Sequence, residues 1–150
     1  MRVVIQRVRH AHVLINNKEK RSSGPGLMVL LGIEHKDDDT DVAWLANKVL
    51  NLRIFSDEEG VMNKSLLDTG GDLMVISQFT LMAATKKGNR PSYINAARHD
   101  HAIPLYDLFV KTAENTLSKE VITGIFGADM QVELCNDGPV TIWIDSKNRE

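Results

Sequence analysis

The chain has 150 residues, a length that fills one domain and leaves little for a second. A hydrophobic share of 43% and a charged share of 25% fit a packed globule and exclude a disordered or fibrous chain. Eighteen basic against twenty acidic residues give a net charge of −2, too near neutral for a protein that coats nucleic acid without regard to sequence.

In chain order, residues 2–9 and 11–15 read as two Val/Ile-rich strands, with Asn16-Asn17 marking a turn before the polar stretch 18–22. Gly24-Pro25-Gly26 punctuates, and Leu27 to Leu31 reads as a strand buried on both faces. Thr40 is the expected cap of a helix from Asp41 to about Leu52, because Val42, Leu45, Val49 and Leu52 recur on one face. A strand at Arg53-Ile54-Phe55, a turn at Asp57 to Gly60 and a second apolar strand from Leu73 to Ala83 follow.

The second helix is expected to begin near Pro104, which suits a first-turn position, with Leu105, Phe109, Ala113 and Leu117 as its buried stripe. Met130, Val132 and Leu134 alternate with polar residues. Asn136-Asp137-Gly138-Pro139 then reads as a turn into a last alternating strand, Val140 to Asp145. Strands at both ends with two main helices inserted between them predict a single α+β domain over residues 1–150. Its sheet is expected to be bent and rich in antiparallel pairing, or closed into a β-barrel, rather than a βαβ parallel sheet.

A single cysteine, Cys135, excludes an internal disulfide and points to a reducing compartment. The first ten residues lack a signal-like apolar run, and nowhere do about 18 apolar residues follow one another, so a cytoplasmic chain without a membrane span is expected. Charge is unevenly spread. Arg2, Arg7, Arg9, Lys18, Lys20 and Arg21 crowd the start, five acids lie between Glu34 and Asp41, and Lys86, Lys87, Arg90 and Arg98 form a further basic segment. These are solvated faces or, for the last, a loop that meets an RNA backbone.

No G-x-S-x-G elbow, H-E-x-x-H helix, Walker loop or G-x-G-x-x-G turn occurs. His99, His101 and Cys135 lack the paired spacing and the fourth ligand of a zinc site. The acidic run at Asp37 lacks the glycine and the bidentate glutamate of a calcium loop. No metal or other cofactor is expected. Two segments stand out instead. Ser77-Gln78-Phe79-Thr80-Leu81 sets polar side chains into an apolar run, where each must find a partner or cost about 1–3 kcal/mol. Asn136 to Thr141 holds Gly138, which lets a ligand approach the backbone closely, before Pro139, whose peptide bond is able to be cis. On residues alone, the first remains a bridge to neighbouring backbone or a site, and the second a turn or a site.

At these two segments the chain resembles the D-aminoacyl-tRNA deacylases, cytosolic enzymes that remove D-amino acids mistakenly esterified to tRNA. Ser77 to Leu81 is similar to the family's first signature, and Asn136 to Thr141 to its second, N-x-G-P-x-T. Met1 to Val8, Leu52 to Phe55, Lys87 to Pro91 and Phe126 to Met130 match in order. The resemblance implies hydrolysis of the ester of D-aminoacyl-tRNA, and of glycyl-tRNA, which has no side chain to exclude. It implies a homodimer, with each Gly138-Pro139 as a cis element in the partner's pocket that denies space to L-aminoacyl groups.

By the same resemblance Ser77, Gln78, Phe79 and Thr80 form the catalytic segment, and Arg7 orients the Gly-Pro loop through its backbone. Phe126, Met130, Asn136 and Thr141 surround the aminoacylated 3′-terminal adenosine. Lys86, Lys87 and Arg90 are the candidates for tRNA phosphates, whereas DNA is not an expected partner. The loop Ala84 to Arg90 and the run Ala96-Ala97-Arg98-His99, which lacks a proline the family commonly has, depart from the pattern. Either Thr80 attacks covalently or water does, assisted by the terminal ribose 2′-hydroxyl. The alternative function is a non-catalytic nucleic-acid or nucleotide-binding module on the same fold.

Overall fold

One long strand, β1 (Arg2–Ile15), organises the computed structural model, which describes residues 1–149. The two strands expected over 2–9 and 11–15 are thus a single one, and its phase of burial records why they read as two. Val3 and Ile5 are buried, then Val8, then Ala11, Val13 and Ile15. Alternation sends Val3 and Ile5 to one face and Val8 to the other, and an irregularity between Val8 and His10 keeps Ala11, Val13 and Ile15 on Val8's side. Two packed clusters follow. Val3 and Ile5 join Leu27, Val29, Leu31, Leu73 and Val75 against the helices, while Val8 to Ile15 join Met28, Met74 and Ile76 on the opposite side.

Strands β2 (Glu19–Ser23) and β3 (Gly26–Gly32) pair antiparallel with successive parts of β1, and β8 (Met130–Asp145) pairs antiparallel with almost its full length. The polar stretch 18–22 therefore holds a strand that its composition hides. Strand β3 continues into β6 (Asp72–Ser77) and then β7 (Ile122–Thr123), both in parallel ladders that the antiparallel expectation did not contain. The reason lies in the insertions: α1 (Asp39–Asn51) and α3 (His99–Leu117) return the chain to the starting edge, as parallel pairing demands. The sheet curls into a nearly closed barrel. Arg21 of β2 bridges the remaining gap by donating from Nη1 to the Thr123 carbonyl of β7, 2.8 Å away.

Smaller elements complete the chain: a β4 (Phe55–Ser56) and β5 (Met62–Lys64) hairpin, and the single-turn α2 (Leu66–Thr69). The α+β class and the two main helices are as expected, but their starts differ. Asp38, not Thr40, caps α1, because a carboxylate accepts from the backbone N–H of both Thr40 and Asp41 at once. α3 begins five residues before Pro104, which sits inside the helix; Leu105, Phe109 and Ala113 form the buried stripe, with Leu117 half-buried. No helix among the described residues is long and apolar enough to cross a membrane.

The two chain ends meet in a polar knot. The Met1 α-ammonium donates to Asp37 and to Ser146 Oγ (2.6 Å); Ser146 Oγ donates to Asp41 Oδ1 (2.8 Å), whose Oδ2 accepts from Lys147 Nζ (2.6 Å). Burial pushes the Asp41 carboxyl up, but the bonds from Lys147 and Ser146 outweigh it and hold the group below its ordinary 3.8. Burial likewise opposes, and the Arg2 bond prevails, at Asp145. A carboxylate with a depressed folded pKa stabilises the fold above the ordinary value and loses that contribution as pH falls through the folded one. The urea midpoint is therefore expected to stay flat from neutrality to about pH 5 and to decline below about pH 4. Asp41→Asn should lower the neutral midpoint and flatten the acid decline; an unchanged acid profile would count against the knot.

Candidate active site

Strand β6 delivers Ser77 to the end of the sheet and stops there. The strand expected to run on to Ala83 instead turns at Gln78 into a 3₁₀ turn, Phe79–Met82, whose packing explains the break. Gln78 N–H still bonds the Leu31 carbonyl at 2.8 Å, and Met82, 1% exposed, anchors the turn in the core. Gly32 of β3 admits the turn: a Cβ there would lie 2.9 Å from the Gln78 carbonyl oxygen and 3.0 Å from Leu81 Cβ. The polar residues of this segment consequently do not alternate across a sheet. Gln78 Nε2 donates to Thr80 Oγ1, and Phe79 stands exposed with its ring edge-on to Tyr93, centroids 5.1 Å apart.

Ser77, Gln78 and Phe79 form one wall of a cleft of about 810 Å³. Its other walls come from Ala97, Arg98 and His99 at the start of α3, and from Phe126, Ala128 and Met130 at the start of β8. Ala97, Arg98, His99 and Ala128 are among the lining residues that the sequence expectation did not assign to a site. The weakness of sequence here is specific: nothing in a run of small and charged residues announces the mouth of a cleft. Tyr106 braces the wall from behind, bonding the Val75 carbonyl at 2.7 Å and meeting Phe126 edge-on.

Met130 fits because Gly124 has no side chain: a Cβ there would lie 2.3 Å from the Met130 sulfur. Gly124→Ala should therefore push a flexible thioether into the cleft. A drop of about 10-fold in kcat/KM with less than about 1 kcal/mol lost from stability is expected, since Met adapts readily. Unaltered kinetics in a folded Gly124→Ala variant would contradict this packing.

The second segment is built elsewhere, and it is neither a hairpin turn nor part of this cleft in the single chain. Thr141 faces Gln6 and Asn136 faces Val8 across the β1–β8 ladder, so four residues, Asp137 to Val140, stand opposite Arg7 alone. They bulge out of the ladder. Asn136 Nδ2 donates to Thr141 Oγ1 at 3.0 Å and staples the base of the bulge, so these two residues contact each other rather than the cleft. The Gly138-Pro139 bond is cis, Gly138 takes φ +118°, and both residues are exposed.

Arg7 lies beneath this loop. Its Nη1 donates to the Ile54 carbonyl, and its Nε lies 3.3 Å from Asp137 Oδ2, close enough for charge pairing but not aligned as a hydrogen bond. Among the described residues no hydrogen bond runs from Arg7 to the Gly138-Pro139 backbone, and the aligned bond to Asp137 comes from Arg9 Nε, at 3.2 Å from Oδ1. Lys86, Lys87 and Arg90 lie exposed on a loop pinned by the Ala84–Ser92 bridge, directly after the 3₁₀ turn. Among the described residues no three metal-ligating side chains converge.

A profile described as D-Tyr-tRNA(Tyr) deacylase matches residues 4–145. The chain belongs to that family. Relatives named D-aminoacyl-tRNA deacylase from Bacteroides thetaiotaomicron and Cytophaga hutchinsonii are 59% and 61% identical over 150 residues, covering all of both chains. Among solved structures, one titled c-Myc DNA Unwinding Element Binding Protein is 38% identical with a TM-score of 0.91, over 97% of this chain and 98% of its own. Another, described as a probable eukaryotic D-amino acid tRNA deacylase, is 21% identical with a TM-score of 0.84 and shares the fold over 95% and 97% of the two chains. Family membership and fold are therefore fixed together over nearly the whole length.

Proposed function

We propose that this chain hydrolyses the ester of D-aminoacyl-tRNA, and of glycyl-tRNA, in the cytoplasm, releasing the free amino acid and tRNA. The observation that carries the reading is the single cleft that joins the Ser77-Gln78-Phe79 wall to Phe126 and Met130, in a chain about 60% identical to relatives named for that reaction. Phe126 and Met130 receive the terminal adenosine, an apolar pair suited to a base. Lys86, Lys87 and Arg90 meet acceptor-stem phosphates, contacts that position without reading sequence.

The active form is a homodimer in which each Gly138-Pro139 loop enters the partner's cleft, with Asn136 and Thr141 supporting it. Two features favour this. The loop projects from the ladder and is exposed, and it takes no part in its own chain's cleft. Its carbonyls then fill the space an L side chain requires, and discrimination rests on exclusion.

Ester cleavage needs a nucleophile and stabilisation of the developing oxyanion. The Phe79 N–H, first in its 3₁₀ turn, has no carbonyl partner within that turn and serves the oxyanion. Thr80 has its oxygen occupied by the Gln78 amide, which is no base, so the hydroxyl is not activated for attack. Water is the nucleophile, and the ribose 2′-hydroxyl assists proton transfer.

Purified protein with D-tyrosyl-tRNA and its L counterpart tests the function: D-selective release is expected. Binding without release would instead favour a nucleic-acid-binding module. Thr80→Ala is expected to keep kcat within about 10-fold, against the loss of roughly 10⁴ or more typical of a removed nucleophile. A substrate lacking the 2′-hydroxyl but cleaved at full rate would remove the assisted mechanism.

A further inference from the structure

His99 occupies the first turn of α3 and lines the cleft, yet it belongs to neither signature segment. Its ring meets Phe126 edge-on, with centroids 5.3 Å apart and planes at 82°. Tyr106 meets the same phenylalanine at 6.0 Å and 72°. The two contacts differ in kind. Tyr106 is buried and fixed by its bond to Val75, whereas His99 is exposed and its side chain makes no hydrogen bond or ion pair among the described residues.

Phe126 packs against the helix-side core, with the rigid Tyr106 ring behind it and His99 as its ring contact at the cleft. Gly127, which follows it with φ +76°, is adaptable backbone and supplies no restraint of its own. A half-buried aromatic ring at a cleft wall loses rotamer freedom when a ligand stacks on it, and a ring already held in place loses less. Edge-to-face aromatic pairs supply that kind of restraint.

We propose that His99 is a positioning residue that holds the Phe126 ring ready for the terminal base of the substrate, and so sets affinity rather than the chemical step. The inference rests on the reading that Phe126 receives that base. Because His99 acts through another ring, the contact and not a ring nitrogen is what matters. Phenylalanine should replace it, and glutamine, which keeps a polar terminus without the ring, should not.

Steady-state kinetics on D-tyrosyl-tRNA test this. His99→Ala is expected to raise KM about 5-fold with kcat within twofold and the D-to-L ratio unchanged, since one edge-to-face pair is worth about that much. His99→Phe should restore KM to within twofold and His99→Gln should behave as alanine does. In a Phe126→Leu background, itself with a raised KM, His99→Ala should add less than twofold. The thermal midpoint of each variant serves as the folding control.

A His99→Ala variant with unchanged KM, alongside a Phe126→Leu variant whose KM rises, would overturn the positioning role and leave the base-binding reading intact. Unchanged KM in Phe126→Leu would overturn both. Rescue by glutamine but not phenylalanine would overturn the proposal in favour of a direct hydrogen bond from residue 99 to the substrate.

Discussion

Gly26→Ala is expected to yield no folded protein at 25 °C. A Cβ at residue 26 would lie 1.9 Å from the Asp72 carbonyl oxygen and 2.6 Å from its nitrogen, and both belong to backbone in the parallel β3–β6 ladder. Neither strand has room to yield. Asp72 N–H is bonded to the Pro25 carbonyl at 2.9 Å, and Asp72 Oδ2 accepts from Gly24 N–H at 2.7 Å, so the crossing is fixed from both sides. A clash that opens a central ladder falls among the rare substitutions costing more than about 4–5 kcal/mol, most of what a domain of this size has. Circular dichroism and urea titration check it, with Gly24→Ala as control: there the nearest atom would be 3.4 Å away, an ordinary contact, and the loss should stay below about 1 kcal/mol. A cooperative transition in Gly26→Ala at the wild-type midpoint would show that the strands part more easily than their bonding indicates.

Gly138→Ala is expected to leave the fold intact and to degrade stereoselection. Gly138 has φ +118°, a region closed to L side chains, and a Cβ would meet Arg7 Nη2 at 2.9 Å and Val140 Cγ2 at 3.0 Å. The loop must reshape, and Arg7 must shift from beside Asp137. Since Asp137 to Val140 stand outside the ladder, the cost is confined to about 1–3 kcal/mol. If the loop is the wall that rejects L substrates, the ratio of D- to L-tyrosyl-tRNA hydrolysis should fall about 10–100-fold. A destabilised variant with an unchanged ratio would reduce the loop to a structural role.

How much of this was legible in the residues differs by element, for reasons that are physical. The stripe Leu105, Phe109 and Ala113 announced α3, because a helix buried on one side must repeat its apolar residues. Its start was hidden, because Arg98 caps without a side-chain hydrogen bond and Pro104 imitates a first turn. Ser77 to Leu81 was rightly singled out as anomalous, but its geometry was not available from spacing. The turn after Ser77 exists because Gly32, 45 positions earlier, leaves space for it, a contact no local pattern encodes. Phe126 and Met130 line the same cleft as Ser77, Gln78 and Phe79, whereas Asn136 and Thr141 bond each other. Asn136 to Pro139 read as a turn because its composition is that of one. Only the pairing of both flanks with β1 shows that the chain continues straight on.

That mismatch of four residues against one has a practical reach. With Gln6 facing Thr141 and Val8 facing Asn136, the rungs on either side are locked independently of what projects between them. The tip is in effect mechanically insulated: strain introduced between Asp137 and Val140 is absorbed there, while the scaffold beneath keeps every pairing partner it has.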